Sequence, residues 1–177
     1  MRFFLIFLVL ISLNLFPSNS QAHTIEEIRK NYQLAVYDAS KTEKLSVELN
    51  KIANPDALTL AYIASVEALK AKHSWNPYSK LQHLTTYEKL MSTAIKRMPE
   101  NMEIRFLRYT IQYNTPSFLG FSKNLNEDKA IIVDAFLKKK FVTLNKVLIS
   151  DVYHFLVETK SITNEEKLQM QKVLKSL

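Results

Sequence analysis

Apolar residues recur along this chain at spacings of three and four, and no convincing stretch alternates with the period of two that marks a half-buried strand. Ile25, Ile28, Tyr32, Ala35 and Ala39 follow helical spacing. Thr24 and Glu27 open that helix as a capping box, with Glu26 and Glu27 near the positive pole of its dipole. A shorter helix over about 42–53 turns Leu45, Leu49 and Ile52 inward. Asn54-Pro55 caps a third, running to about residue 72, whose Ala57, Ala61, Ala64, Ala68 and Ala71 fall on one line. Such a stripe lets a neighbour approach closely, and Leu58, Tyr62, Val66 and Leu69 add a second apolar face. Asn76-Pro77 starts another helix over about 78–97, with Leu81, Leu84, Met91, Ala94 and Met98 inward, so that the two form an antiparallel hairpin.

The best-specified helix covers about 99–113, with Pro99 in its first turn. At 100° per residue, Met102, Phe106, Tyr109 and Tyr113 form one stripe, and Ile104, Leu107 and Ile111 form another nearly opposite. A helix apolar on two faces is expected between neighbours, not on a surface. Arg105, Arg108 and Gln112 line a polar edge between the stripes. Asn114 and Thr115-Pro116 stop the helix, and Gly120 supplies a positive φ or a close backbone approach. Three more helices follow: 126–139, with Ala130, Val133 and Leu137 inward; 144–159, with Leu144, Leu148, Val152, Phe155 and Leu156; and a last one opened by the capping box Thr163–Glu166, with Leu168, Val173, Leu174 and Leu177 for docking. Phe141-Val142-Thr143 is β-like but too short for a strand.

Ala94 and Met98-Pro99-Glu100-Asn101 resemble the end of a tetratricopeptide repeat, where a proline and an asparagine separate successive helices. The resemblance covers roughly residues 56–113 and implies stacked helical hairpins. The stretch from Ile104-Arg-Phe-Leu-Arg-Tyr109 through Asn114-Thr-Pro-Ser-Phe-Leu-Gly120 to Glu127-Asp128-Lys129 resembles small exported proteins of unknown function from Bacteroidota. It implies the same broad class and no activity.

Composition agrees with helices. One glycine in 177 residues is far below the usual ~7%, and hairpins rely on glycine turns. Residues 1–22 read as a secretory signal peptide: Arg2, the apolar run Phe3 to Leu13, the breakers Asn14 and Pro17, then Ser20-Gln21-Ala22, with cleavage before His23. The apolar run is shorter than the ~20 residues of a membrane span, so no stable span is expected after cleavage. The mature chain, 23–177, is expected to be a single all-helical domain, periplasmic or secreted. The absence of cysteine excludes disulfides, cysteine nucleophiles, thiolate metal sites and a lipoprotein anchor. A net charge of +7 permits attraction to anionic surfaces without indicating nucleic acid.

His23, His73, His83 and His154 form no HxxxH or HExxH pair, and neither a G-x-S-x-G elbow nor a glycine-rich phosphate loop occurs. No catalytic residue, metal ligand or cofactor is therefore assigned. Glu127-Asp128 and Glu165-Glu166 suit first helical turns. Arg105 and Arg108 need partners on a buried helix. Either they pair internally, with Glu67, Glu88 or Asp128, or they edge an anion-recognising groove. Such a groove would be walled by Trp75, Tyr109, Tyr113, Phe118 and Phe121, with Gln112 and Asn114 as further polar groups.

The sequence thus predicts an all-α fold of about seven to eight helices after the signal peptide, arranged as a TPR-like right-handed array or an irregular bundle. The leading function is an exported interaction module, adaptor or scaffold, for another exported or envelope protein or peptide. The alternatives are a binder of a small anionic or amphipathic ligand through the Arg/aromatic groove, and an enzyme with an unfamiliar site.

Overall fold

The computed structural model describes residues 24–141 and 144–177. The expected signal peptide and its expected cleavage point lie outside the described residues, as do Val142 and Thr143 of the β-like run. Among the described residues every regular element is helical: α1 (Ile25–Ala35), α2 (Ala39–Leu49), α3 (Ala57–His73), α4 (Pro77–Arg97), α5 (Met102–Asn114), α6 (Leu125–Leu137), α7 (Lys146–Glu158) and α8 (Asn164–Lys175), with a 3-10 turn at Ser117–Leu119. The fold is all-α. No helix among them is long and apolar enough to cross a membrane.

Short polar side chains set the helix starts. Thr24 and Thr163 form capping boxes with Glu27 and Glu166, and Asn76 caps α4 ahead of Pro77. Three starts differ from expectation. The apolar stripe of α1 runs on to Ala39, but the helix stops at Ala35 because Asp38 accepts from the Ser40 and Lys41 amides and begins α2. Thr42, expected at the start of that helix, is buried in its first turns, and its Oγ1 donates to the Ala35 carbonyl at 2.8 Å. Asn54 adopts a positive φ of 54° while Asp56 caps α3. Pro99 lies in the turn before α5, which Asn101 caps, and its carbonyl accepts from Arg105 Nε at 2.6 Å.

The bundle has two apolar cores. The first joins α1 to α5 through residues such as Ile28, Leu49, Leu69, Met91 and Leu107. Ala57, Ala61, Ala64, Ala68 and Ala71 are all buried there, and α3 touches α1, α2, α4 and α5. The second core joins α5 to α6, α7 and α8 through Ile132, Phe136, Val152, Leu156 and Met170. Each fully buried Leu or Phe contributes about 1.5–3 kcal/mol by leaving water. In α6 the buried positions are Asp128, Ile132, Val133, Ala135 and Phe136, so Val133 lies inward as expected, whereas Ala130 is exposed and Leu137 partly buried. Leu81, Met98, Leu168 and Leu177 are likewise exposed, and Met170 is the residue of α8 that is fully buried.

α5 lies between the cores, as its two stripes predicted. Ile104 and Leu107 belong to the first core, with Ile111 against it. Met102, Phe106 and Tyr109 belong to the second.

Candidate functional site

A helix of 100° per residue that gives two opposite faces to two cores has two edges left. One edge of α5, Arg105–Arg108–Gln112, is covered by α6. The other, Glu103–Thr110–Asn114, opens into a cleft of about 830 Å³. Phe106 and Leu107 flank that edge. The walls come from α1 (Arg29, Tyr32, Gln33), α3 (Tyr62, Leu69, Lys72) and α7 (Leu148, Asp151, Phe155), with Val36, Tyr37 and Asn145 at their ends.

The cleft floor carries a buried ion pair. Arg29 donates through Nε and Nη2 to the two oxygens of Glu103 at 2.8 and 2.6 Å, and through Nη1 to Glu26 at 2.5 Å. Tyr62 Oη donates to Glu103 at 2.6 Å. The Glu103 hydrogen bond raises the pKa of Arg29 despite burial. Burial, then the Glu103 charge, pushes the Tyr62 phenol well above its ordinary range. Tyr32, edge-on to Tyr62 at 5.4 Å between ring centroids, is pushed up to about 12 by burial. Across the mouth, Asn145 donates to Glu26 at 2.8 Å and Gln33 to Asp151 at 3.4 Å, so side chains of α1 bridge to α7 and to its N-cap. Burial also raises the Asp151 carboxyl above its usual value. The formal charges lining the cleft balance: Arg29, Lys30 and Lys72 against Glu26, Glu103 and Asp151.

The arginines expected to edge a groove are engaged elsewhere. Asp128, fully buried, accepts from Arg105 Nη1 at 2.9 Å and from Arg108 Nε and Nη2, both at 2.6 Å. Glu127 takes a further bond from Arg105 at 2.7 Å, which lowers its pKa. Gln112 exchanges hydrogen bonds with Asn124 at the start of α6. Of the predicted groove residues, Asn114 lines the cleft. Tyr109 is buried and donates to Ser161 Oγ at 2.6 Å, and Tyr113 lies against Phe155. Phe121 is in the first core, whereas Trp75 and Phe118 project into solvent.

No family model matches the chain, and neither does any curated protein or solved structure.

The site is therefore read from its own geometry. His83 Nδ1 is 2.7 Å from Glu67 Oε2, tying α4 to α3, and His73 Nε2 is 3.3 Å from the Ala35 carbonyl; neither histidine lines the cleft. Among the described residues, no three of His, Asp and Glu converge as a metal set. What the cleft does offer is an apolar trough with amide, hydroxyl and ionic groups along it. Arg29, Tyr62 and Glu103 were not singled out by spacing. The available signal was Glu103 itself, the lone carboxylate of a helix apolar on two faces, masked by its place in the first turn, where the dipole alone accounts for it.

Proposed function

We propose that the protein is an exported, non-enzymatic binding module whose cleft receives an extended segment of another exported protein. The observation that carries this is the elongated cleft along α5. From Glu103 to Asn114 it runs roughly 16 Å at 1.5 Å per residue, which suits about five peptide residues at ~3.3 Å each. Gln33, Thr110, Asn114 and Asn145 place polar side chains along it, each with an intramolecular partner that a peptide amide would share or replace. Leu69, Leu107 and Phe155 place apolar ones. Such a lining matches a chain of alternating amides and side chains. The α3–α4 hairpin followed by α5 is in keeping with a repeat-like adaptor, and the apolar start of the sequence with export.

Peptides selected from a displayed library on the mature chain provide the test. Selected peptides should lose at least tenfold in affinity for Thr110→Phe, which fills the trough, while the variant keeps its helical circular dichroism. Equal binding to this variant, or no selectable peptide, would count against the proposal. A second reading, a small amphipathic ligand, is favoured by a volume within the ~300–1,000 Å³ of ordinary ligand sites. Native mass spectrometry of protein purified from the envelope distinguishes the two by the mass retained.

A further inference from the structure

The aromatic side chains exposed on this bundle are gathered at one end. Hydrogen bonds from Lys72 Nζ to the Val36 carbonyl at 2.7 Å, and between His73 and the Ala35 carbonyl, bring the end of α1 beside the end of α3. The end of α5 joins them, because Asn114 and Thr115 share the cleft lining with Val36, Tyr37 and Lys72. Among the described residues the exposed aromatics are Tyr37, Trp75, Tyr78, Tyr113 and Phe118, and all belong to these segments or to the α3–α4 turn. Tyr37 is 87% exposed, Trp75 98%, Tyr78 77% and Phe118 85%. None of these four is needed by either core. Tyr37 lines the end of the cleft and Tyr78 a small hollow with Leu81 and Gln82, whereas Trp75 and Phe118 line neither.

Lysines outnumber carboxylates in the segments that carry the exposed aromatics. Segments 34–41, 70–82 and 113–124 contain Lys41, Lys70, Lys72, Lys80 and Lys123 against Asp38. The half-exposed Glu127, which accepts from Asn124 at 3.1 Å, is held by Arg105 and Arg108. Asp38 caps α2, and Lys70 is held by Glu67 at 3.3 Å. Lys72 lies 5.5 Å from the centroid of the Tyr37 ring, setting an ammonium beside an amphipathic aromatic. Tryptophan and tyrosine favour the headgroup level of a bilayer, where one end of the ring is wet and the other apolar. Lysines near an anionic surface add attraction that salt screens.

We propose that this end of the bundle docks on an anionic lipid surface, with Trp75, Tyr78 and Phe118 at headgroup depth and Lys72, Lys80 and Lys123 facing lipid phosphates. Trp75, Tyr78, Phe118, Lys80 and Lys123 line no part of the cleft, whereas Tyr37 and Lys72 stand at its end, so the vesicle test is read on residues outside it. Trp75, the only tryptophan, is a built-in reporter. The described residues supply both cores, and the chain 23–177, the expected mature form, serves for the test. With vesicles of phosphatidylglycerol in phosphatidylcholine, its emission should shift to the blue and be quenched by brominated lipid, and salt should reverse both. Tyr78→Ser with Phe118→Ser should weaken vesicle binding at least tenfold while circular dichroism is unchanged, since both side chains are exposed. Thr110→Phe should bind vesicles like the parent. No shift, or an equal shift on phosphatidylcholine alone, would overturn the proposal. So would a concentration-dependent dimer that the double variant breaks in the absence of vesicle binding, which would assign this end to a second copy of the chain.

Discussion

Arg29 and Glu103, 74 positions apart, form a two-pronged ion pair that fastens the first helix to the fifth beneath the cleft. Both side chains are almost wholly shielded from water. Glu103→Ala removes the two-pronged acceptor and leaves Arg29 with Glu26, so it should cost about 3 kcal/mol. Arg29→Met combined with Glu103→Leu should recover most of that loss, because a buried pair and an apolar pair of similar volume are often close in energy. Urea unfolding of the two single variants and the double variant measures the difference.

Tyr32, Tyr62 and Tyr87 share one response to alkali. Burial is the largest cause of the raised pKa of each, so the folded state keeps protons that the unfolded chain releases. Stability from these groups is fully present below the ordinary tyrosine value of 10 and is lost as pH rises toward the folded values, about 12 for Tyr32. The expected slope is up to ~1.4 kcal/mol per pH unit for each tyrosine. Tyrosinate absorbance should therefore appear together with loss of helix. Tyr87 Oη is buried without a hydrogen-bond partner, so Tyr87→Phe should stabilise the fold by about 1 kcal/mol and flatten the alkaline slope.

Asp128 and Glu127 serve the same arginines from different surroundings. Asp128→Ala leaves Arg105 and Arg108 buried without their main acceptor and should cost about 3–5 kcal/mol. Glu127 is half exposed, so Glu127→Gln should cost no more than about 1 kcal/mol. Its lowered pKa gives stability that is present above 4.5 and is lost as pH falls through the folded value. Thermal unfolding at neutral pH ranks the two variants, and the glutamine variant should show a shallower acid limb.

Gly120 has φ of +77° at the end of the 3-10 turn, with no atom within 4 Å of where a Cβ would stand. Gly120→Ala should therefore cost only the backbone penalty, about 1 kcal/mol. Gly120→Asn should cost less, since asparagine tolerates this region. Chemical denaturation of the pair separates conformational strain from steric clash.

Periodicity carried the helices and the double-faced character of α5, because both depend on residues three and four apart. It failed where a nearby polar side chain overrode an apolar stripe: Asp38 ends the run toward Ala39, and Asp56 displaces Asn54 as a cap. In α6, Ala130 and Ile132 both suited an inward place, and the buried Asp128 turns the Ile132 side in. The cleft was beyond local pattern, since its walls run from Glu26 to Phe155 in the chain. Arg105 and Arg108 need partners on a buried helix, and Asp128, one of the acceptors the sequence offers, supplies them. Which edge of α5 stayed open depended on where α6 settled.

The shared position of α5 also governs how the molecule comes apart. Because Phe106 and Leu107, adjacent in sequence, are anchored in opposite oily layers, neither half can melt without stripping a flank from the other. A fragment ending at Asn114 would carry a bare greasy seam and clump, whereas the whole bundle should lose its order in one step.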